Sequence, residues 1–291
     1  MSAQPRRKHE RFAFAALVLL TLAPVVLQGL WRPLAQVLEV DVDSAWITCA
    51  ALLVATAVLL ATFLGPPGRW RSLAIPILIV VPLGLLLGDS VRTVAAATAS
   101  LIGVAAFCAA LLPWLVRRLP EVMDGMAPKH KGGATLLFVL GVATVMGTTR
   151  LSIFMGDVSR SDLSVLPESP FLVHHSCLTA YVEGASLAAQ GVDNLYDMAR
   201  WPDLNGTPRA DSWKGHYAPF ALDAFAYPPP FLLLPQAALS WLRDFASQRA
   251  FWFALNGLFV AAGLWVVASW LGGPAGLRAL LLAPVVWISA P

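Results

Sequence analysis

Long apolar runs recur along the chain, separated by short polar breaks. A helix rising 1.5 Å per residue needs about 20 apolar positions to cross the roughly 30 Å of a bilayer's hydrocarbon. Runs of this kind occupy 12–31, 45–65, 73–88, 93–115, 134–155, 228–242, 250–271 and 279–291. The third and sixth are short for a span. The eighth stops at Pro291 in mid-run, so the chain is expected to continue past it. The pattern predicts an all-α polytopic membrane protein of about eight transmembrane helices, the last one truncated.

Composition agrees. The chain is 58% hydrophobic and 13% charged, with a mean hydropathy of +0.69, where soluble domains carry about 25% charged residues. The net charge of +3 is therefore no footprint for nucleic acid; its placement carries the information. Arg6, Arg7, Lys8 and Arg11, then Arg69 and Arg71, then Arg117, Arg118, Lys129 and Lys131, then Arg243 and Arg249 fall on one side of the eight-span scheme. Arg32, Arg92 and Arg278 fall on the other. Positive residues collect in the cytoplasm, which puts the N-terminus there. Residues 156–226 become a large extracytoplasmic loop, and the expected location is the plasma or inner membrane.

No ionisable residue interrupts the first four runs, and the basic, glycine-bearing "KHKGG" follows them. The expected division is a four-helix transmembrane module, 1–132, and a second module, 133–291, that carries the loop. Cys49, Cys108 and Cys177 have no zinc, haem or redox spacing, and no metal or cofactor is expected. Asn205-Gly206-Thr207 matches a glycosylation sequon, which is read as chance.

Polar chemistry is concentrated in the loop. "SCLTAYVEGASLAAQG" spaces Leu178, Tyr181, Val182, Ala185 and Leu187 as a helix, with Ser176 as its cap and Gly191 as its stop. "NLYDMARW" predicts one further turn. "WPDLNGTPRADSWKG" is rich in turn formers and predicts irregular chain. After it, "FAYPPPFLLLPQAAL" returns toward the bilayer. Proline is tolerated in a helix's first turn, where its missing N–H has no partner to lose. Pro230 is therefore expected to open a span, with Pro228 and Pro229 as a stiff approach and Tyr227 at interface depth.

Together, "AYVEGASLAAQGVDNLYD" and "FAYPPPFLLLPQAAL" resemble glycosyltransferase family 87, part of the GT-C superfamily. The matching positions are Tyr181, Gly184, Gly191, Leu195-Tyr196-Asp197 and Tyr227-Pro228-Pro229-Pro230-Phe231. The resemblance covers about 134–291 and implies a GT-C-like fold. The implied activity moves a sugar from a polyprenyl-phosphate donor to the hydroxyl of a glycan or lipid acceptor, outside the cytoplasm. The chain departs from the family in two ways: no acid lies just before the Tyr181 helix, and the first four spans are extra to an arrangement in which the large loop follows the first helix.

Such a reaction needs a carboxylate at the membrane boundary to take the acceptor's proton. Asp157, in "FMGD" at the end of the fifth run, is the candidate catalytic base, with Asp162 and Glu183 as alternatives. The leaving phosphate needs cations and hydrogen-bond donors. Candidates for substrate binding are Arg150, His174, His175, Tyr181, Glu183, Asp197, Lys214, His216 and Tyr227. Each has a plainer role to set beside this one: Arg150 snorkelling to lipid phosphate, Glu183 on the wet face of its helix, Asp197 capping its own turn, the adjacent histidines as ordinary loop donors. Competing functions are a non-enzymatic scaffold, a transporter, or a polysaccharide polymerase or ligase.

Overall fold

A computed structural model describes residues 4–64, 69–123, 131–197, 201 and 216–272. Among these residues the chain is entirely helical and irregular, with no strand. The helices are α1 (Gln4–Leu38), α2 (Ser44–Leu64), α3 (Arg69–Leu87), α4 (Val91–Met123), α5 (Lys131–Gly156), α6 (Pro170–His174), α7 (Leu178–Ala189), α8 (Leu233–Leu239) and α9 (Phe245–Leu271). Five segments are long and apolar enough to cross a membrane: Arg11–Leu38, Ser44–Leu64, Val91–Arg117, Phe138–Gly156 and Phe245–Leu271.

Local chemistry sets the helix ends. α1 stops where Glu39 turns left-handed (φ 54°) and the Val40 amide reaches back to the Ala35 carbonyl at 3.0 Å. Asp43 then caps α2, its Oδ1 accepting from the amides of Ala45 and Trp46, donors that the first turn of a helix otherwise leaves unmet. Asp244 does the same for α9 through the Ser247 amide at 2.8 Å. Within the long helices Thr56, Thr62, Ser100, Thr144, Thr148 and Thr149 each donate to the carbonyl four residues back. A hydroxyl is hidden from an apolar surround in this way.

The axis of the bundle is α1, which packs on α2 and α4 and also on α5 and α9. Helices from both sides of residue 132 thus share one central helix. The core is aliphatic and small: Ala15, Leu19, Ala23 and Leu27 of α1 meet Ala51, Val54, Ala55 and Val58 of α2 and Ala97, Leu101 and Val104 of α4. Small residues let helices approach closely. A methyl added at Gly29 would stand 2.5 Å from the Ala254 methyl of α9.

Two ends of the bundle can be told apart. At one, Phe12 meets Phe63, and Trp265 meets both Phe14 and Trp114. At the other, Gln28 donates to Thr48, Arg32 to Ser44, Ser247 to the Arg32 carbonyl, and Arg249 to the Phe154 and Met155 carbonyls. The described residues between 157 and 244 sit at this second end, opposite Arg11 and Arg117.

The eight-span reading changes here. Residues 228–242 form no helix long enough to cross. Pro229–Leu232 form a 3₁₀ turn, Leu233–Leu239 a two-turn helix, and the chain reverses before Asp244. The helical stretch Pro229–Leu239 is only about 16 Å long. Prolines open it, and the turn at 240–244 closes it. Arg243 and Arg249, assigned above to the cytoplasmic side, therefore lie at the loop end. α3 has a short apolar part, Pro76–Leu87, and packs on α2 and α4. The run 279–291 lies outside the described residues.

Candidate functional site

The segment between α5 and α9 builds a second core of a different kind. Leu178, Ala185 and Leu187 of α7 pack with Leu195, Trp201, Tyr217, Phe220, Leu222, Phe225, Leu232 and Phe245. α7 forms where the sequence predicts it, and Gly191 (φ 76°) terminates it in a conformation that favours glycine. Gly184 lets the α7 backbone close on the chain that follows: a methyl there would meet Leu232 and Phe225 at 3.2 Å.

On the side of this core facing α9 lies an aromatic cluster. The Tyr181 ring stands 5.0 Å from Tyr227, 4.8 Å from Phe231 and 6.4 Å from Trp252 of α9, all edge-on. Such pairs add about 1 kcal/mol each beyond their buried area. Tyr196 donates its hydroxyl to the Tyr227 carbonyl at 2.8 Å and stacks on Phe225. Burial, followed by hydrogen bonding and charge from Tyr227, raises the Tyr181 phenol above its ordinary range. Pro228 is extended, and Pro229 and Pro230 are the first residues of the 3₁₀ turn. The proline run thus delivers Phe231 to the cluster.

Beside the tyrosines is a group of three ionisable side chains. His175 Nε2 lies 3.0 Å from Asp223 Oδ2, and Cys177 Sγ lies within 4.8 Å of both. Three hydrogen bonds fix the two strands of chain that carry them: the Ala221 amide to the His174 carbonyl at 3.0 Å, the Thr179 hydroxyl to the Ala221 carbonyl at 3.2 Å, and the Asp223 amide to the Thr179 hydroxyl at 3.0 Å. Burial raises the Asp223 carboxyl above the usual range, while His175 and Cys177 pull it down. Burial and then the Asp223 charge raise the Cys177 thiol.

The residues predicted from sequence divide around these features. Tyr181, Tyr227 and His175 come together. His174 is exposed, and its carbonyl holds Ala221. Glu183 accepts a 2.8 Å hydrogen bond from Tyr217, whose hydroxyl is raised above its ordinary range by burial and by the Glu183 charge. His216 packs edge-on against the Tyr217 ring. Arg150 donates to the Ser164 carbonyl at 3.1 Å and ties the 3₁₀ turn Ser161–Leu163 to α5. Asp157 directs Oδ1 at the Ser159 amide and hydroxyl, at 3.0 and 2.7 Å, and the neighbouring Val158 packs on the aromatic core. Asp162 pairs with Arg160 in the same turn. Asp197 is half-buried next to Tyr196. Lys214 and the Asn205 sequon lie outside the described residues.

Sequence reading gave no site role to Asp223, Cys177, Thr179 or Arg249. Arg249 is buried, lies between the rings of Phe154 and Phe220 at 4.5 and 4.7 Å, and caps the last carbonyls of α5. The available signal was the histidine-x-cysteine spacing of His175 and Cys177, together with an acid four residues before Tyr227. Neither is conspicuous without the fold.

No protein-family model matches the chain, and comparison with curated proteins and with solved structures gives no match.

Proposed function

We propose that the chain is a membrane glycosyltransferase that moves a sugar from a polyprenyl-phosphate donor to a hydroxyl of a glycan or lipid acceptor on the extracytoplasmic face of the plasma or inner membrane. One observation carries the reading. The two stretches that resemble glycosyltransferase family 87 are separated by a polar insert, yet Tyr181 and Tyr196 of the first meet the Tyr227–Phe231 run of the second in one cluster at the end of the bundle. A lipid-linked donor keeps its tail in the bilayer, so its sugar must react at this depth. Aromatic faces suit both an isoprenoid chain and the apolar face of a sugar.

The acceptor hydroxyl has to lose a proton as the glycosidic bond forms, and the phosphate leaves with the bonding pair of the old linkage. Asp157 is the proposed base, at the outer end of α5. Asp162 and Glu183 are the alternatives weighed from sequence, and Asp223 is a further carboxylate of the same segment, marked by its burial and its histidine neighbour.

The test is transfer by full-length protein in liposomes, supplied with labelled polyprenyl-phosphate sugars. Asp157→Asn is expected to lower transfer at least 100-fold with normal insertion, in line with general-base loss. A full rate in that variant alongside an inactive Asp223→Asn would move the base to Asp223. Failure of the wild-type protein to release polyprenyl phosphate from any sugar donor would overturn the transferase reading. Transport is the second reading, favoured by the buried Thr21 and Ser152 hydroxyls and the Gln28 Oε1, which meet no protein hydrogen-bond partner. It predicts solute flux in the same liposomes without chemical change.

A further inference from the structure

We propose that His175, Cys177 and Asp223 form a binding site for a divalent, borderline-soft metal ion of the zinc class, with an open coordination position. The inference stands apart from glycosyl transfer and rests on the geometry of these three side chains.

Distance comes first. A tetrahedral zinc holds nitrogen and oxygen at about 2.0–2.1 Å and thiolate sulfur at about 2.3 Å, so its ligand atoms stand roughly 3.3–3.6 Å from one another. In this site the nitrogen and oxygen are 3.0 Å apart, and all three ligand atoms fall within 4.8 Å. The nitrogen and oxygen need to part by a few tenths of an ångström, and the sulfur to close by at most about 1.2 Å, to reach that spacing.

The second observation concerns Asp223 Oδ2. This oxygen is shut off from solvent and meets no donor in hydrogen-bonding geometry, although His175 Nε2 pairs with it at 3.0 Å and the Cys177 side chain is a hydrogen-bonding neighbour of the same carboxylate. A buried carboxylate oxygen without a directed donor is costly. A ligand nitrogen and a ligand oxygen brought together in this way suit a cation placed between them better than they suit each other.

Preorganisation is the third. The ligands come from two places, the α6–α7 junction and the extended chain before Tyr227. Backbone and Thr179 hydrogen bonds lock these two segments together next to the ligands. In a built metal site, neighbouring hydrogen bonds hold the ligands in position. Thr179 acts in this way, accepting from the Asp223 amide while donating to main-chain carbonyls.

The ligand set selects the ion. Imidazole, thiolate and carboxylate together suit zinc, and exclude magnesium or calcium, which take oxygen ligands. Three protein ligands leave a fourth position, and Cys177 is exposed, so that position is open to water or another exchangeable oxygen ligand. On binding, the Cys177 thiol releases its proton to solvent while His175 binds as neutral imidazole and Asp223 as carboxylate. The sequence expectation of no metal weighed His174 with His175. The fold pairs His175 with Cys177 and Asp223 and leaves His174 outside.

Titration of the metal-stripped full-length protein with cobalt(II) tests this. One equivalent is expected to bind, with a thiolate-to-cobalt charge-transfer band and the visible bands of a tetrahedral site. Zinc should displace it. Asp223→Asn, close to isosteric, should weaken cobalt binding at least 10-fold. Cys177→Ser should remove the charge-transfer band, and Cys49→Ser and Cys108→Ser should keep it. A measurement on the wild-type protein needs no variant to fold: zinc should slow alkylation of Cys177 at least 10-fold, and EDTA should restore it. The proposal is overturned if no equivalent of cobalt binds, if the band survives Cys177→Ser, or if zinc leaves Cys177 alkylation unchanged.

Discussion

The bundle and the cap at its end, built from the described residues between α5 and α9, solve the same packing problem with different residues. The bundle joins long helices through alanine, leucine and valine, and hides its hydroxyls by bonding them to their own helix. The cap consists of pieces of one to three turns, too short to satisfy their own backbone. It is held by rings and by side chains that reach distant main-chain groups, such as Trp201 to Leu195, Tyr196 to Tyr227 and Thr179 to Ala221. In lipid a helix closes its own hydrogen bonds and needs only shape. At the water boundary the chain has to supply partners, and aromatic residues with a polar tip serve both purposes. Chemistry therefore collects in the cap, where polar atoms are already converging.

Substitutions confined to one region sharpen the contrast. The largest effect is expected from Phe225→Ala. Phe225 is buried and contacts Tyr196, Trp201 and Tyr227, and its loss should cost about 3–5 kcal/mol. Limited proteolysis should then cut within 157–244 while the bundle stays resistant; equal loosening of both would erase the distinction between two cores. Next is Arg249→Ala, the one change expected to affect both regions. Removing its charged hydrogen bonds to α5 and its place between two rings should cost about 3 kcal/mol, read as earlier melting of bundle and cap together. Gly29→Ala should damage the bundle alone, by about 2 kcal/mol of overpacking against Ala254; Ala254→Gly in the same chain should recover most of it. The smallest is Tyr217→Phe, which deletes one hydrogen bond to Glu183 and should lower cap stability by about 1 kcal/mol, measurable as faster amide exchange in α7.

Legibility followed the same division. Apolar length alone located α1, α2, α4, α5 and α9, because a bilayer demands length and little else. It failed at 228–242, a run already short for a span, where prolines at the start and a capped turn at Asp244 cut the helix shorter still. Periodicity found α7 and its glycine stop. It could not find the site, because Asp223 reaches His175 only through the pairing of Ala221 with His174 and of Thr179 with Asp223. That pairing is a long-range contact between helix ends and irregular chain, which share no period. Arg249 was read as a positive loop residue, since burial between Phe154 and Phe220 has no signature in a hydropathy profile.

Arg249 also sets an order of biogenesis. Its partners, the last carbonyls of α5, are made 95 residues before it. When α5 enters the membrane those carbonyls have no guanidinium to meet, and the cap then emerges without its fixed floor. Only the insertion of α9 brings Arg249 under Phe220 and against α5. A ribosome-bound chain that ends before Arg249 therefore holds an unfinished cap. Closure of the cap reports that the helix made after it has already been inserted.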